Sequence, residues 1–183
     1  MAVAGLAIGT AGLMAPSANA GVLVASAPNC QPQALVKPFT AYGDQSNYTL
    51  LPGGSFDNGA PGWSLSRAAV VSGALQISPG GVATSPTICA GLDHPTMRFF
   101  AKSSGLLPVG TVSVLAETSL GVVVELPLGV ITPGSTMHAT PKYLVLANLL
   151  PLLPNDYTPL AFRFRAVTGT FTIDDVYVDP KMR

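Results

Sequence analysis

Glycine and proline interrupt this chain so often that no long helix can run through it: of 183 residues, 19 are glycine and 17 are proline. Proline cannot donate the hydrogen bond a helix interior needs and glycine weakens the helix, whereas both suit the turns between short strands. Between the interruptions, short apolar runs at 48–51, 63–65, 69–71, 75–77 and 82–84 read as strands at the spacing of a sandwich. Residues 97–102 alternate, with Arg98, Phe100 and Lys102 on one face and Met97, Phe99 and Ala101 on the other, a period of two. The pattern predicts a hairpin of 111–117 with 121–126, in which Val112, Val114 and Ala116 point inward and Ser113 and Glu117 outward. It predicts a last hairpin of 160–167 with 170–178, turning at Thr168 and Gly169. The apolar stretch 143–154, broken by Pro151 and Pro154, is shorter than the roughly 20 residues a bilayer span requires, and reads as a buried strand and its exit. The sum is an all-β, antiparallel jelly-roll-type β-sandwich, and the length suits one domain of about 100–200 residues.

No charged residue precedes Lys37, and an apolar run to Met14 gives way to Pro16, Ser17, Ala18, Asn19 and Ala20, a hydrophobic region followed by an Ala-x-Ala cleavage signal. The expected division is therefore a signal peptide at 1–20, an irregular N-terminal segment at 21–45 that carries Pro28, Pro32, Pro38 and Gly43, and a β-sandwich domain at 46–183. Such a chain is secreted and keeps no membrane span once its leader is cleaved. In an oxidising compartment its two cysteines, Cys30 and Cys89, are expected to form a disulfide. They are too far apart in sequence for the close ligand spacing of a zinc site. Nine basic residues balance nine acidic ones and are scattered, so nucleic acid is not an expected partner.

The inventory for catalysis is thin. The two histidines, His94 and His138, lie in neither a His-Glu-x-x-His nor a Gly-x-Ser-x-Gly context. Glu117 and Glu125 are the best candidates for a glycosidase pair, but the predicted hairpin sets them several residue pairs apart, and they read as solvated strand-edge carboxylates. Asp44, Asp93 and Asp156 occupy turn-like contexts where aspartate bonds its own backbone. The expectation is a protein that is not an enzyme.

One constellation stands out: Leu51, Pro52, Gly53, Gly54, Ser55, Phe56 and Asp57, then Trp63, and near the C-terminus Ile173, Asp174, Asp175 and Val176. This pattern resembles the galactose-binding-like jelly-roll modules, in particular the carbohydrate-binding modules that accompany glycoside hydrolases. The stretches 93–100, 162–164 and 174–180 are similar to secreted bacterial proteins of the same build. The resemblance implies a structural calcium held by Asp57 and Asp174, with Asp175 and nearby carbonyls such as that of Ser55 as further ligands. The residues give a modest case of their own: aspartate is disfavoured in strands, and Asp174 is expected to share a face with Val176 and Val178, where an ion at about 2.3–2.6 Å would account for the charge. The alternative left open is an ion pair, since the predicted turn sets Arg163 opposite Asp174 and Arg165 opposite Thr172, a cross-strand contact worth roughly 0.2–1 kcal/mol.

Sugars are held by aromatic rings with a few polar groups. Trp63, Phe56, Phe99, Phe162, Phe164 and Phe171 fall at core positions, which leaves Tyr42, Tyr143 and Tyr157, with Phe100, as ligand-binding rings. The resemblance implies a secreted, non-enzymatic binding module whose partner is a polysaccharide or other glycan. The alternative is an extracellular structural or protein-interaction domain with no sugar ligand, which the low charged fraction of 10% favours.

Overall fold

The computed structural model describes residues 33–90, 96–117, 122–145 and 158–179. The leader at 1–20, Cys30, Asp93, His94, Asp156 and Tyr157 lie outside the described residues. Strands β1 (Thr49–Leu50), β2 (Ser64–Val71), β3 (Ala74–Thr84), β4 (Ile88–Ala90), β5 (Thr96–Glu117), β6 (Val123–Ile131), β7 (His138–Ala139), β8 (Tyr143–Leu144) and β9 (Thr158–Asp179) follow in chain order. All pairings are antiparallel, and the main path across the sheet runs β2-β3-β9-β5-β6. Among the described residues no helix is long and apolar enough to cross a membrane.

The two layers of the sandwich are halves of one hydrogen-bonded sheet folded along a line. Four breaks align across neighbouring strands: Arg67 on β2, 78–81 on β3, 166–170 on β9 and 105–108 on β5, each marked by a shift in register. Arg67, Gly80, Leu107 and Gly169 all have positive φ there (50°, 71°, 47° and 71°). Unpaired residues at such points bend a strand instead of ending it. Layer one holds 68–71, 74–77, 96–104 and 170–179 with β1, β7 and β8. Layer two holds 64–66, 82–84, 109–117 and 158–168 with β4 and β6.

The layers meet on their inner faces. Phe99 of layer one packs edge-on against Phe164 of layer two, with ring centroids 5.2 Å apart. A Cβ on Gly110 would lie 3.0 Å from the Phe171 ring, so this glycine is what lets the layers approach. The loop between β1 and β2 closes one end: buried Phe56 meets Trp63 at 5.0 Å, and the indole N–H of Trp63 donates to the Pro52 carbonyl. Every aromatic residue assigned to the core from sequence is buried, and fully burying a phenylalanine contributes roughly 1.5–3 kcal/mol.

Three expectations are corrected here. The last hairpin does not exist: residues 158–179 form one continuous strand, because Gly169 bends the chain across the fold line instead of reversing it. Arg163 therefore lies in layer two and Asp174 in layer one, and the ion pair proposed between them is replaced by contacts of Arg163 and Arg165 with Glu125. The third concerns solvation: Ser113 and Glu117 do alternate outward from Val112, Val114 and Ala116, with Ser113 opposite Arg163, yet both are buried, so Glu117 is not the solvated strand-edge carboxylate expected. The hairpin of β5 with β6 does form, with Leu115 opposite Glu125 and Glu117 opposite Val123.

Candidate functional site

On the outer face of layer one, residues 36–48 are laid across the sheet. Val36 and Tyr48 exchange backbone hydrogen bonds, and a short 3₁₀ turn, Thr40–Tyr42, ends at Gly43 in the left-handed conformation. Asp44 fastens this segment. Its buried carboxylate accepts hydrogen bonds from the Tyr48 hydroxyl (2.7 Å) and the Arg98 guanidinium (2.9 Å), and pairs with Lys142 (2.9 Å). Burial works against that charge, but the hydrogen bonds from Tyr48, Lys142 and Ser46 outweigh it and hold Asp44 well below the usual carboxylate range. The local backbone bond read from sequence is present, from the Ser46 N–H (3.1 Å). The pairing with Arg98 had no local signal, because it joins residues 54 apart in sequence.

The segment builds an aromatic patch. Phe39 stacks on Phe100 (5.3 Å), meets Tyr48 and Tyr177 edge-on, and lies under the Arg98 guanidinium at 4.6 Å. Tyr42 sits at its margin, 44% exposed, with its ring edge-on to Phe100 at 5.7 Å. Phe100 is in register with Asp174, and Lys102 and Gln76 flank Thr172 from either side, so the exposed tyrosine adjoins a polar strip.

Asp174 does not share a face with Val176 and Val178. Asp175 has φ 48°, and between Arg98 and Phe100 the β9 strand carries one residue more than β5. That extra residue breaks the alternation, leaving Asp174 on the outer face beside Phe100 while Val176 and Val178 are buried. The Asp174 carboxylate accepts the Asp175 N–H at 2.9 Å. Burial, then the charges of Asp175 and Asp57, push the Asp174 carboxyl up to about 6. Asp175 is raised by burial and by the Asp57 charge. Asp57 itself is exposed on the loop beside Gly73. The structure thus gathers Asp57, Asp174 and Asp175 into one acidic patch, with Ser55 on the same loop as Asp57. Yet among the described residues no group of three or more histidine, cysteine, aspartate or glutamate side chains is close enough together to hold a metal ion.

Tyr143, expected as a second ligand-binding ring, lies on the other side of the sheet from Tyr42. It stacks on the inner residue Phe99 (5.6 Å, 11° between planes), and its hydroxyl donates to the Val130 carbonyl of layer two. Burial raises its pKa. Tyr143 therefore ties the layers together, and of the two expected tyrosine rings among the described residues Tyr42 is the one facing solvent. Cys89 lies on β4 opposite Pro159, and among the described residues no cysteine is free.

This architecture is the jelly-roll fold of carbohydrate-binding modules. No family model and no curated protein matches the chain, so the likeness is one of fold. The CBM22-1 xylan-binding domain of Paenibacillus barcinonensis Xyn10C matches 70% of this chain and 93% of its own length, at 10% identity and a TM-score of 0.51. The CBM22-1 and GH10 modules of Clostridium thermocellum xylanase 10B, solved with xylohexaose, match 70% of this chain at 15% identity and a TM-score of 0.51. This chain spans 28% of that longer protein.

Proposed function

We propose that the chain is a secreted, non-enzymatic glycan-binding module that takes its ligand on the outer face of layer one. The observation that carries this reading is Tyr42, an exposed ring braced by Phe100, next to the polar strip of Asp174, Thr172, Lys102 and Gln76. A pyranose ring offers an apolar face for stacking and a rim of hydroxyls for hydrogen bonds, and this surface offers both complements. The xylan-binding domain with the same fold lends support to a polysaccharide ligand.

The surroundings of Glu125 speak for a binding role over that of a general acid. A general acid needs a raised pKa, whereas the Ser113 hydroxyl, Arg165 and Arg163 overcome burial and bring Glu125 down to about 2. The second reading, a protein-contact domain, is favoured by one feature: Leu106 and Leu107 are 88% and 79% exposed at the fold line, near exposed Val167. Calcium enters as a proposal attached to the first reading, since an ion that drew Asp57, Asp174 and Asp175 together would relieve their mutual repulsion.

The test is a glycan and polysaccharide screen of the mature chain, run with calcium and with chelator, on wild type and Tyr42→Ala. The reading expects binding that Tyr42→Ala weakens by about tenfold, as loss of a stacked ring does. Loss of binding in chelator would support the ion. A screen with no bound glycan in either condition would overturn the reading and leave the Leu106 and Leu107 surface as the next target.

A further inference from the structure

On the outer face of layer two, Arg163 and Arg165 of β9 share one carboxylate. Arg163 Nη1 lies 2.6 Å from Glu125 Oε2, and Arg165 Nη2 lies 3.0 Å from the same oxygen. The Ser113 hydroxyl donates to Glu125 Oε1 at 2.6 Å, and Arg163 Nε donates to the Thr84 hydroxyl at 3.2 Å. One carboxylate cannot neutralise two guanidiniums, so the cluster carries an excess positive charge. Among the described residues the hydrogen bonds of Arg163 use Nε and Nη1, and those of Arg165 use Nε and Nη2. Each guanidinium thus keeps one terminal NH₂ for another acceptor, and their side chains are 28% and 41% exposed.

The surroundings define what that acceptor is. Across the strands, Ser64, Thr84, Arg163 and Ser113 stand in one row, and Ser66, Val82, Arg165 and Thr111 stand in the next. With strands about 4.8 Å apart, a row over four strands is about 14 Å long. The strip is neutral and hydroxyl-rich apart from the arginines, and Glu125 approaches them from the β6 side. Cross-strand neighbours on the β3 and β2 side supply no acid to compete for the open NH₂ groups. Planar guanidiniums with paired donors recognise carboxylates in fixed geometry.

The geometry points to a second binding surface, on layer two, for an acidic polysaccharide whose uronate carboxylate is held by Arg163 and Arg165 while the flanking hydroxyls take the ring hydroxyls. It rests on the glycan-binding reading for the sugar class, but the surface is separate from the one that carries Tyr42. The experiment titrates oligogalacturonate, with xylohexaose as the neutral comparison, into wild type, Arg165→Gln and Glu125→Gln, each checked for an intact fold by thermal melting. Arg165→Gln should weaken oligogalacturonate binding by about tenfold, as loss of a charge-assisted pair does. Glu125→Gln, which keeps the side-chain shape while removing the competing carboxylate, should tighten it severalfold. A purely structural ion-pair cluster would instead lose stability in Glu125→Gln and gain no affinity. Wild type that fails to bind oligogalacturonate, or folded variants that bind it no differently, would overturn the inference. If that same wild type binds xylohexaose, the reading built on Tyr42 survives the result, so the two failures are distinguishable.

Discussion

Asp44 and Asp174 lie on the outer face of the same layer, and their surroundings treat their charges in opposite ways. Asp44 is surrounded by donors and cations, so its ionised form is the stable one. Asp174 has burial and two like charges against it, and its carboxyl rises from 3.8 to about 6. The sign of the stability effect follows. An acid with a raised folded pKa binds its proton more tightly folded than unfolded, so ionising it costs stability as pH climbs through that window. The cost is absent below about pH 4 and complete above about pH 6. Asp174→Asn keeps an oxygen for the Asp175 N–H and removes the charge. It should stabilise the protein by about 1 kcal/mol at neutral pH after allowance for solvent screening. Melting wild type and variant side by side from pH 4 to 8 checks this: the gap should open between about pH 4 and 6 and stay constant above. A variant less stable than wild type at neutral pH would mean that the Asp174 charge has a cationic partner, and calcium added to wild type would then raise its melting temperature.

The four long strands can belong to both layers only because each bends at the fold line, and the bends depend on one another. Gly169 is the tightest point. At φ 71°, a Cβ there would meet the Pro108 side chain at 2.7 Å and the Ser104 carbonyl at 2.8 Å. Gly105 approaches from the facing strand so closely that its own Cβ would lie 3.2 Å from the Gly169 Cα. The Thr168 hydroxyl then fixes the bulge, donating to the Leu107 carbonyl and accepting the Val109 N–H. Gly169→Ala combines a disfavoured backbone conformation with a backbone clash, and should cost about 2 kcal/mol or more. Gly134→Ala is the matched comparison, because its Cβ meets nothing within 4 Å and its φ is not positive. That change should fall within about 0.5 kcal/mol of wild type. Urea denaturation of the two variants separates them; similar midpoints would show that the fold line tolerates a side chain and that the breaks are independent.

At the scale of the whole molecule, what the sequence discloses depends on the distance over which each feature is decided. The alternation at 97–102 assigns Phe99 and Phe100 to opposite faces correctly, because a period of two is local. Phe56 and Trp63 read as core because their loop is short and self-packed. At Gly169, by contrast, the flanking strands look the same for a reversal as for a bend, and the bend is decided by a matching break at 105–108, some 60 residues earlier. The face of Asp174 was misread for a related reason: one bulged residue inverts every side chain before it relative to those after it. Pairings such as Asp44 with Arg98 leave no local trace at all. A disulfide is the feature that acts at this largest scale, and the Cys30 and Cys89 pair is a case for test. Linking them would close a loop of about 60 residues, and by restricting the unfolded chain would stabilise the protein by roughly 4 kcal/mol. Because the effect lies in the unfolded state, it should shift the whole cooperative transition, not merely loosen the segment before β1. Reduction, or replacing both cysteines with serine, should therefore lower the melting temperature of every probe together, including the fluorescence of the buried Trp63. Alkylation of the unreduced, denatured chain should add no mass, and two adducts should appear after reduction. Two adducts before reduction would refute the bridge, and a Trp63 transition that stays in place after reduction would refute the claim that it acts on the molecule as a whole.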